Sequence, residues 1–215
     1  VWKLHKLGDE VVKALVAAEL QVMPGEFVCL MGPSGSGKST LLNIIGGLDR
    51  PTKGTVRIAG QDTARLSESQ FAALRHDTIG FIFQSYNLIP FLSAVENVEL
   101  PLMFEPYDRK SLRRRATELL ELVGLSHRVH HQPTRMSGGE QQRTAIARSL
   151  ISSPTLVLAD EPTANLDHRT GETVVRMLRD LCSTLGVTVV ASTHDPTVAD
   201  EASRVVRMQD GQIIN

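Results

Sequence analysis

Residues 32–40 read Gly-Pro-Ser-Gly-Ser-Gly-Lys-Ser-Thr, and they follow the short apolar run 27–31 without a break. Gly32, Gly37, Lys38 and Ser39 fit the spacing G-x-x-x-x-G-K-[ST], and residues 39–48 then recur with helical spacing around a Gly-Gly stop. Strand, glycine loop and helix in this order point to an α/β layout. The loop also has a chemical meaning. Glycines let successive backbone N–H groups turn inward around phosphate oxygens, and the helix start adds partial positive charge. Lys38 brings a full positive charge to the terminal phosphates of a nucleotide, and Ser39 is expected to hold Mg2+ through its hydroxyl. The stretch Gly32, Pro33, Ser34, Gly35, Ser36, Gly37, Lys38, Ser39 and Thr40 is therefore the expected ATP-binding loop. A turn whose glycines merely relieve strain is set aside, because the flanking strand and helix are those the motif requires.

The rest of the chain extends this layout. Residues 54–62 (GTVRIAGQD) alternate polar and apolar between glycines, as an antiparallel strand on a sheet edge does. A short capped helix over 67–75 leads into the apolar strand TIGFIFQ, which stops at Gln84. From about Asn87 to Ser153 the pattern is helical, interrupted by Pro90, Pro101 and Pro106, and reads as an inserted lobe. Two further apolar runs, TLVLADEP and VTVVAST, flank a helix expected over 169–185. Alternating strands and helices with apolar strands imply a parallel sheet covered on both faces. The expected organisation is a single domain, with a catalytic core of 1–86 and 154–215 and a helical subdomain of about 87–153.

Composition excludes some function classes. A net charge of -1 over 215 residues provides no general attraction to nucleic acid. No stretch reaches the roughly 18 uninterrupted apolar residues of a membrane span, so a membrane role must run through a partner. Cys29 and Cys182 lie in apolar and helical patterns and read as small buried hydrophobes rather than a disulfide.

Three more features bear on chemistry. Asp160 and Glu161 end a buried strand, where ligands of open parallel sheets bind, and two adjacent acids there call for a cation. Asp160 is expected to bind Mg2+, mainly through water, and Glu161 to polarise the water that attacks the γ phosphate. Gln84 and His194 each end a strand and are placed to emerge beside the same phosphates. Finally, Ser137, Gly138 and Gly139 precede a helix and form a second anion-binding helix start, although Glu140 also fits a local capping box with Ser137.

These motifs, in this order, resemble the nucleotide-binding subunit of an ATP-binding cassette transporter: phosphate loop at Gly32–Thr40, Gln84, signature at Ser137–Gln141, Asp160-Glu161, the tripeptide ending at Asp167, and His194. The resemblance covers essentially the whole chain. It implies an α/β fold with a P-loop NTPase (RecA-like) core, a mostly parallel sheet, an antiparallel β subdomain and an inserted helical subdomain. It also implies an ATPase that forms a head-to-tail homodimer around ATP and Mg2+. In such a dimer Ser137, Gly138, Gly139 and Glu140 act in trans on ATP bound by the partner, and Asp167 lies at the seam. Gln84 senses Mg2+ and the attacking water, and His194 contacts the γ phosphate. The partner implied is an integral membrane permease, with the chain peripheral on the cytoplasmic side of the cell membrane and no nucleic acid involved. Residues 41–54 and 79–102 look most like subunits of lipoprotein-releasing and macrolide-export systems.

Two departures from the family pattern stand out. His5 occupies the position where an aromatic residue, commonly tyrosine, stacks on adenine, and Met136 and Glu140 replace the usual leucine and glutamine around Ser-Gly-Gly. By the same alignment Val1 falls at the end of the family's first strand, so that strand is expected to be absent. The basic run 109–115 reads as a solvated helix face, Arg143 and Arg148 as phosphate, seam or helix-surface residues, and Tyr86, Leu88, Ile89 and Phe91 as either a docking cluster or packing between lobes. Two alternatives stand beside the transporter reading. A soluble cassette ATPase acting on nucleic acid or ribosomes usually carries two cassettes or a coiled-coil insertion, and a small-molecule kinase leaves the signature and the Asp160-Glu161 pair unexplained.

Overall fold

The runs at 27–31, 156–160 and 188–193 are mostly β-branched or apolar, broken only by Asp160 and Ser192, so each supplies side chains to both faces of a sheet. In the computed structural model, which describes residues 1–8 and 10–214, they form its centre. Two strands open the chain, β1 (Lys3–Leu7) and β2 (Glu10–Leu15), and β3 (Phe27–Met31) leads through the glycine loop into α1 (Lys38–Ile45). A small hairpin of β4 (Arg57–Ile58) and β5 (Gln61–Asp62) precedes α2 (Glu68–Thr78) and β6 (Ile79–Ile82). Three helices follow, α3 (Ala94–Glu99), α4 (Arg109–Leu122) and α5 (Gly138–Leu150). The chain then returns through β7 (Leu156–Asp160), α6 (His168–Leu185), β8 (Thr188–Thr193), α7 (Pro196–Glu201), β9 (Arg204–Gln209) and β10 (Gln212–Ile214).

The main sheet has six strands in the order β10-β9-β3-β8-β7-β6, parallel except for the terminal β9-β10 hairpin. Period-two alternation divides its core. Phe27, Cys29, Val157, Ala159, Val189 and Ala191 face the α3–α6 side, whereas Val28, Leu30, Leu158 and Val190 face α1 and α2. The first of these clusters runs without interruption into Leu112, Ala116 and Leu120 of α4 and Ile146 of α5. The helices between β6 and β7 thus share apolar contact with the sheet rather than forming a separate core.

The edge strand expected over 54–62 is instead a two-stranded sheet of its own, β4-β5, apart from the main sheet. Ala59 and Gly60 both have positive φ, 48° and 79°, the backbone of a tight hairpin turn, so the chain reverses after two residues before it can extend along an edge. The strand read as ending at Gln84 closes at Ile82, which leaves Gln84 in a turn. The helix expected from residue 169 starts at His168, because Asp167 accepts from the backbone N–H of Thr170 and caps it. The basic run on α4 is largely exposed, with Leu112, Ala116 and Leu120 as its buried stripe. Both cysteines are buried and unpaired.

Candidate active site

The C-terminal ends of the parallel strands β3, β7 and β8 bring the phosphate loop, Asp160-Glu161 and His194 to one edge of the sheet. At the loop, Gly37 has φ 99°, and a Cβ there would lie 2.7 Å from the Ala14 carbonyl oxygen; both facts require glycine. No side chain caps the N-terminus of α1, so its first N–H groups remain available to an anion. Pro33, Ser34 and Gly35 are exposed, and Ser36 is buried with its hydroxyl unpartnered. Thr40 is half-buried one position beyond Ser39.

Lys38 is buried at the centre of this edge. Its Nζ donates to the carbonyls of Gly32 at 2.8 Å and Pro33 at 3.1 Å, and lies 3.6 Å from Glu161 Oε1. The other Glu161 oxygen, Oε2, is 2.9 Å from His194 Nδ1. Glu161 therefore bridges the lysine and the histidine. Its own φ of 46° is unusual for a non-glycine residue and is held by its N–H, which donates to the carbonyl and the hydroxyl of Ser192, each at 3.1 Å. Beside it, Asp160 Oδ1 accepts from Ser39 Oγ at 2.9 Å and from Ser192 Oγ at 2.5 Å. Ser192 was not among the expected site residues. Its signal in the sequence is a serine inside the otherwise apolar run of β8, and the sheet register pairs it directly with Asp160.

Gln84 is exposed in its turn, and its carbonyl accepts from Asn165 Nδ2 at 2.8 Å. His5 is exposed on β1, opposite Val12. Arg148, read as a residue of phosphate, seam or helix surface, is half-buried and donates to the carbonyls of Asn87 and Tyr86 at 2.5 and 2.7 Å. Burial holds its guanidinium below the usual arginine range. Of the apolar cluster near Gln84, Tyr86, Leu88 and Ile89 are half-buried, whereas Phe91 is exposed.

The second helix start is built differently from the first. Ser137 caps α5 through a complete capping box: Ser137 N–H donates to Glu140 Oε2 at 2.8 Å, and Glu140 N–H donates to Ser137 Oγ at 3.3 Å. Arg128 Nε donates to the other Glu140 oxygen at 2.8 Å. Gly139 lies against Thr170 of α6, where a Cβ would come within 2.4 Å of its methyl group. Among the described residues, no hydrogen bond or ion pair joins residues 137–140 to residues 32–40, so one chain holds two separate anion-type helix starts. Asp167 is exposed and accepts from the Thr170 hydroxyl at 2.7 Å.

The oxygens of Ser39 and Asp160 are hard ligands, and no group of three or more His, Cys, Asp or Glu able to hold a metal occurs among the described residues. That donor set fits Mg2+, which keeps several waters and is bound by few protein groups together with substrate phosphates.

A parallel sheet carrying a glycine-lysine-serine loop at its C-terminal edge, with an acid pair on a neighbouring strand, defines a P-loop nucleoside triphosphatase. The model of the ABC transporter family matches residues 15–164, and the chain belongs to that family as an ATP-binding ATPase cassette. It is 52% identical over 213 residues to an uncharacterized ABC transporter ATP-binding protein of Thermotoga maritima, covering 99% of this chain and 91% of that one. It is 50% identical to the macrolide export ATP-binding/permease protein MacB of Syntrophobacter fumaroxidans, and there the match covers 98% of this chain but 30% of MacB. Among solved structures, the dimeric post-hydrolysis state of the ATP-binding cassette MJ0796 bound to ADP and Pi superposes with a TM-score of 0.92 at 46% identity, over 100% of this chain and 94% of that one. Nothing in these matches favours a nucleic-acid role.

Proposed function

We propose that two copies of this chain close head to tail around ATP and hydrolyse it to drive a membrane partner, with Lys38, Glu161 and His194 as the centre of the chemistry. The observation that carries this reading is the bridge Lys38–Glu161–His194 beside Ser39–Asp160 at the strand ends. Lys38 is held by two carbonyls of its own loop, and a phosphate oxygen entering the loop would offer it a full charge in their place. The uncapped N–H groups of α1 supply further donors from residues 37–40. Glu161 is placed to take a proton from the attacking water, and His194 to hold that carboxylate in orientation and meet the γ phosphate. When bound, Mg2+ supplies charge neutralisation on the phosphates, with Ser39, Gln84 and Asp160 as the residues that would hold it.

Among the described residues the second helix start makes no hydrogen bond or ion pair to the phosphate loop of its own chain, which supports Ser137, Gly138, Gly139 and Glu140 acting on ATP held by the other copy, with Asp167 at the seam. The dimeric MJ0796 cassette, bound to ADP and Pi, supports the same assembly. His5, exposed on β1, is the adenine-stacking candidate. On this reading the core of 1–86 and 154–215 and the helical unit of about 87–153 shift relative to each other during the cycle. No helix among the described residues is long and apolar enough to cross a membrane. MacB is named as both ATP-binding protein and permease, which supports an integral membrane permease as partner, peripheral attachment on the cytoplasmic side, and export or lipoprotein release as the work done.

The test is Glu161→Gln. It should retain ATP binding, accumulate as an ATP-bound dimer on size exclusion, and lose turnover by at least about 100-fold. Turnover at the normal rate would remove the role assigned to Glu161.

A further inference from the structure

Two hydrogen bonds outside the assigned chemistry close a ring between loops 81 residues apart. Asn165 Nδ2 donates to the Gln84 carbonyl at 2.8 Å, and the Tyr86 hydroxyl donates back to the Asn165 carbonyl at 3.4 Å. The loop so gripped has an unusual backbone, with Tyr86 at φ 59° and Asn87 at φ 49°. Such a conformation persists in non-glycine residues only when its surroundings enforce it. Here Arg148 of α5 enforces it from below through the Tyr86 and Asn87 carbonyls. From the side, Gly138 fits over the Tyr86 hydroxyl so closely that a Cβ would lie 3.0 Å from it. Asn165 itself is exposed and stands two residues before Asp167. A side chain in that position commonly bonds to its own turn; this one crosses to another loop instead.

We propose that Asn165 is a positioning residue that ties Gln84 to the dimer seam, so that closure of the partner copy against residues 165–167 sets where Gln84 stands beside Ser39 and Asp160. The inference rests on the reading above, in which Gln84 faces Mg2+ and water and Asp167 faces the partner. The physical content is a mechanical link. A displacement of the 165–167 loop pulls the Gln84 carbonyl through one bond and Tyr86 through the other, while Arg148 keeps the rest of the loop fixed to α5. Tyr86 and Gly138 carry the same link to the start of α5, so seam, signature and Gln84 respond together.

The test measures ATP hydrolysis against ATP and against Mg2+ for Asn165→Ala, Asn165→Asp, Gln84→Ala and the Gln84→Ala/Asn165→Ala double variant. Asn165 is exposed, so the fold should tolerate both changes, and an unchanged thermal midpoint checks this. Asn165→Ala should lower kcat by about tenfold and raise the Mg2+ concentration for half-maximal rate, while KM for ATP stays within about threefold. Asn165→Asp sets a carboxylate against a carbonyl and should be no better than alanine. The double variant should be no slower than Gln84→Ala, because the clasp acts only through Gln84. A slow Gln84→Ala beside a normal Asn165→Ala, or losses that multiply in the double variant, overturns the clasp alone. A Gln84→Ala protein that turns over at the wild-type rate removes the underlying reading of Gln84 and the clasp with it. In the Glu161→Gln background, Asn165→Ala should still dimerise with ATP; failure to do so would make Asn165 a seam contact and overturn the positioning role.

Discussion

Arg148 shows how much of a side chain's role its type leaves open. Its place on a helical repeat is compatible with a surface, and in the fold it is half-buried and donates to two backbone carbonyls. Replacing it with methionine keeps the volume but leaves those carbonyls without their donor, so Arg148→Met should lower unfolding stability by about 1–3 kcal/mol, measured by urea denaturation. The two cysteines were legible as buried hydrophobes because each sits in an apolar or helical pattern, and both are buried with no disulfide. Burial pushes the Cys29 thiol up to about 12, with the nearby Glu161 charge adding to it and Lys38 opposing, and burial pushes Cys182 up to about 11. Neither should be alkylated in the native protein at about pH 8, and both should react once unfolded; rapid native labelling would contradict their burial. The spacing and type of Lys38 and Glu161 pointed to a phosphate site, whereas the 3.6 Å between them belongs to the folded sheet.

At the scale of elements, periodicity was the reliable guide. The apolar stripe of α4 and the alternation on β3, β7 and β8 both follow directly from 3.6- and 2-residue repeats. Leu120 lies fully buried in the stripe of α4, so Leu120→Ala should cost about 2–5 kcal/mol by denaturation, with ATP affinity measured at low temperature unchanged. Ion pairs between elements were not legible. Glu26, at the entry to β3, accepts from Arg204 Nε of β9 at 2.6 Å, 178 residues away. That bond to Arg204 holds the Glu26 carboxyl below the usual carboxylate range. Because the folded value is depressed, the stabilisation is present above the ordinary carboxylate range and is lost as pH falls through the folded value. Glu26→Gln should accordingly show a smaller loss of Tm on acidification than wild type, and equal slopes would show that the pair carries no linkage. The hairpin β4-β5 makes the opposite point: alternation predicted a strand, but two consecutive positive-φ residues cut it to two residues a side.

For the molecule as a whole, the central question is why one chain holds two helix starts suited to anions with no bond between them. If each serves the other copy, Lys38→Ala and Ser137→Glu proteins should be nearly inactive alone and regain activity when mixed, because one of the two sites in the mixed dimer then has an intact loop and an intact signature. No gain on mixing would mean that the sites are completed within a chain. The sequence by itself determined the family, the strand-loop-helix unit around residues 27–45 and the two later apolar strands, because those depend on spacing and residue type along a single strand, loop or helix. Only the tertiary structure decided that Glu161 bridges Lys38 and His194, that Ser192 braces Asp160, that Arg148 holds the Tyr86 and Asn87 carbonyls and that Asn165 grips Gln84. Each of these joins residues on separate elements, and the distance between them is set by how the helices pack on the twisted sheet, a quantity that no local repeat encodes.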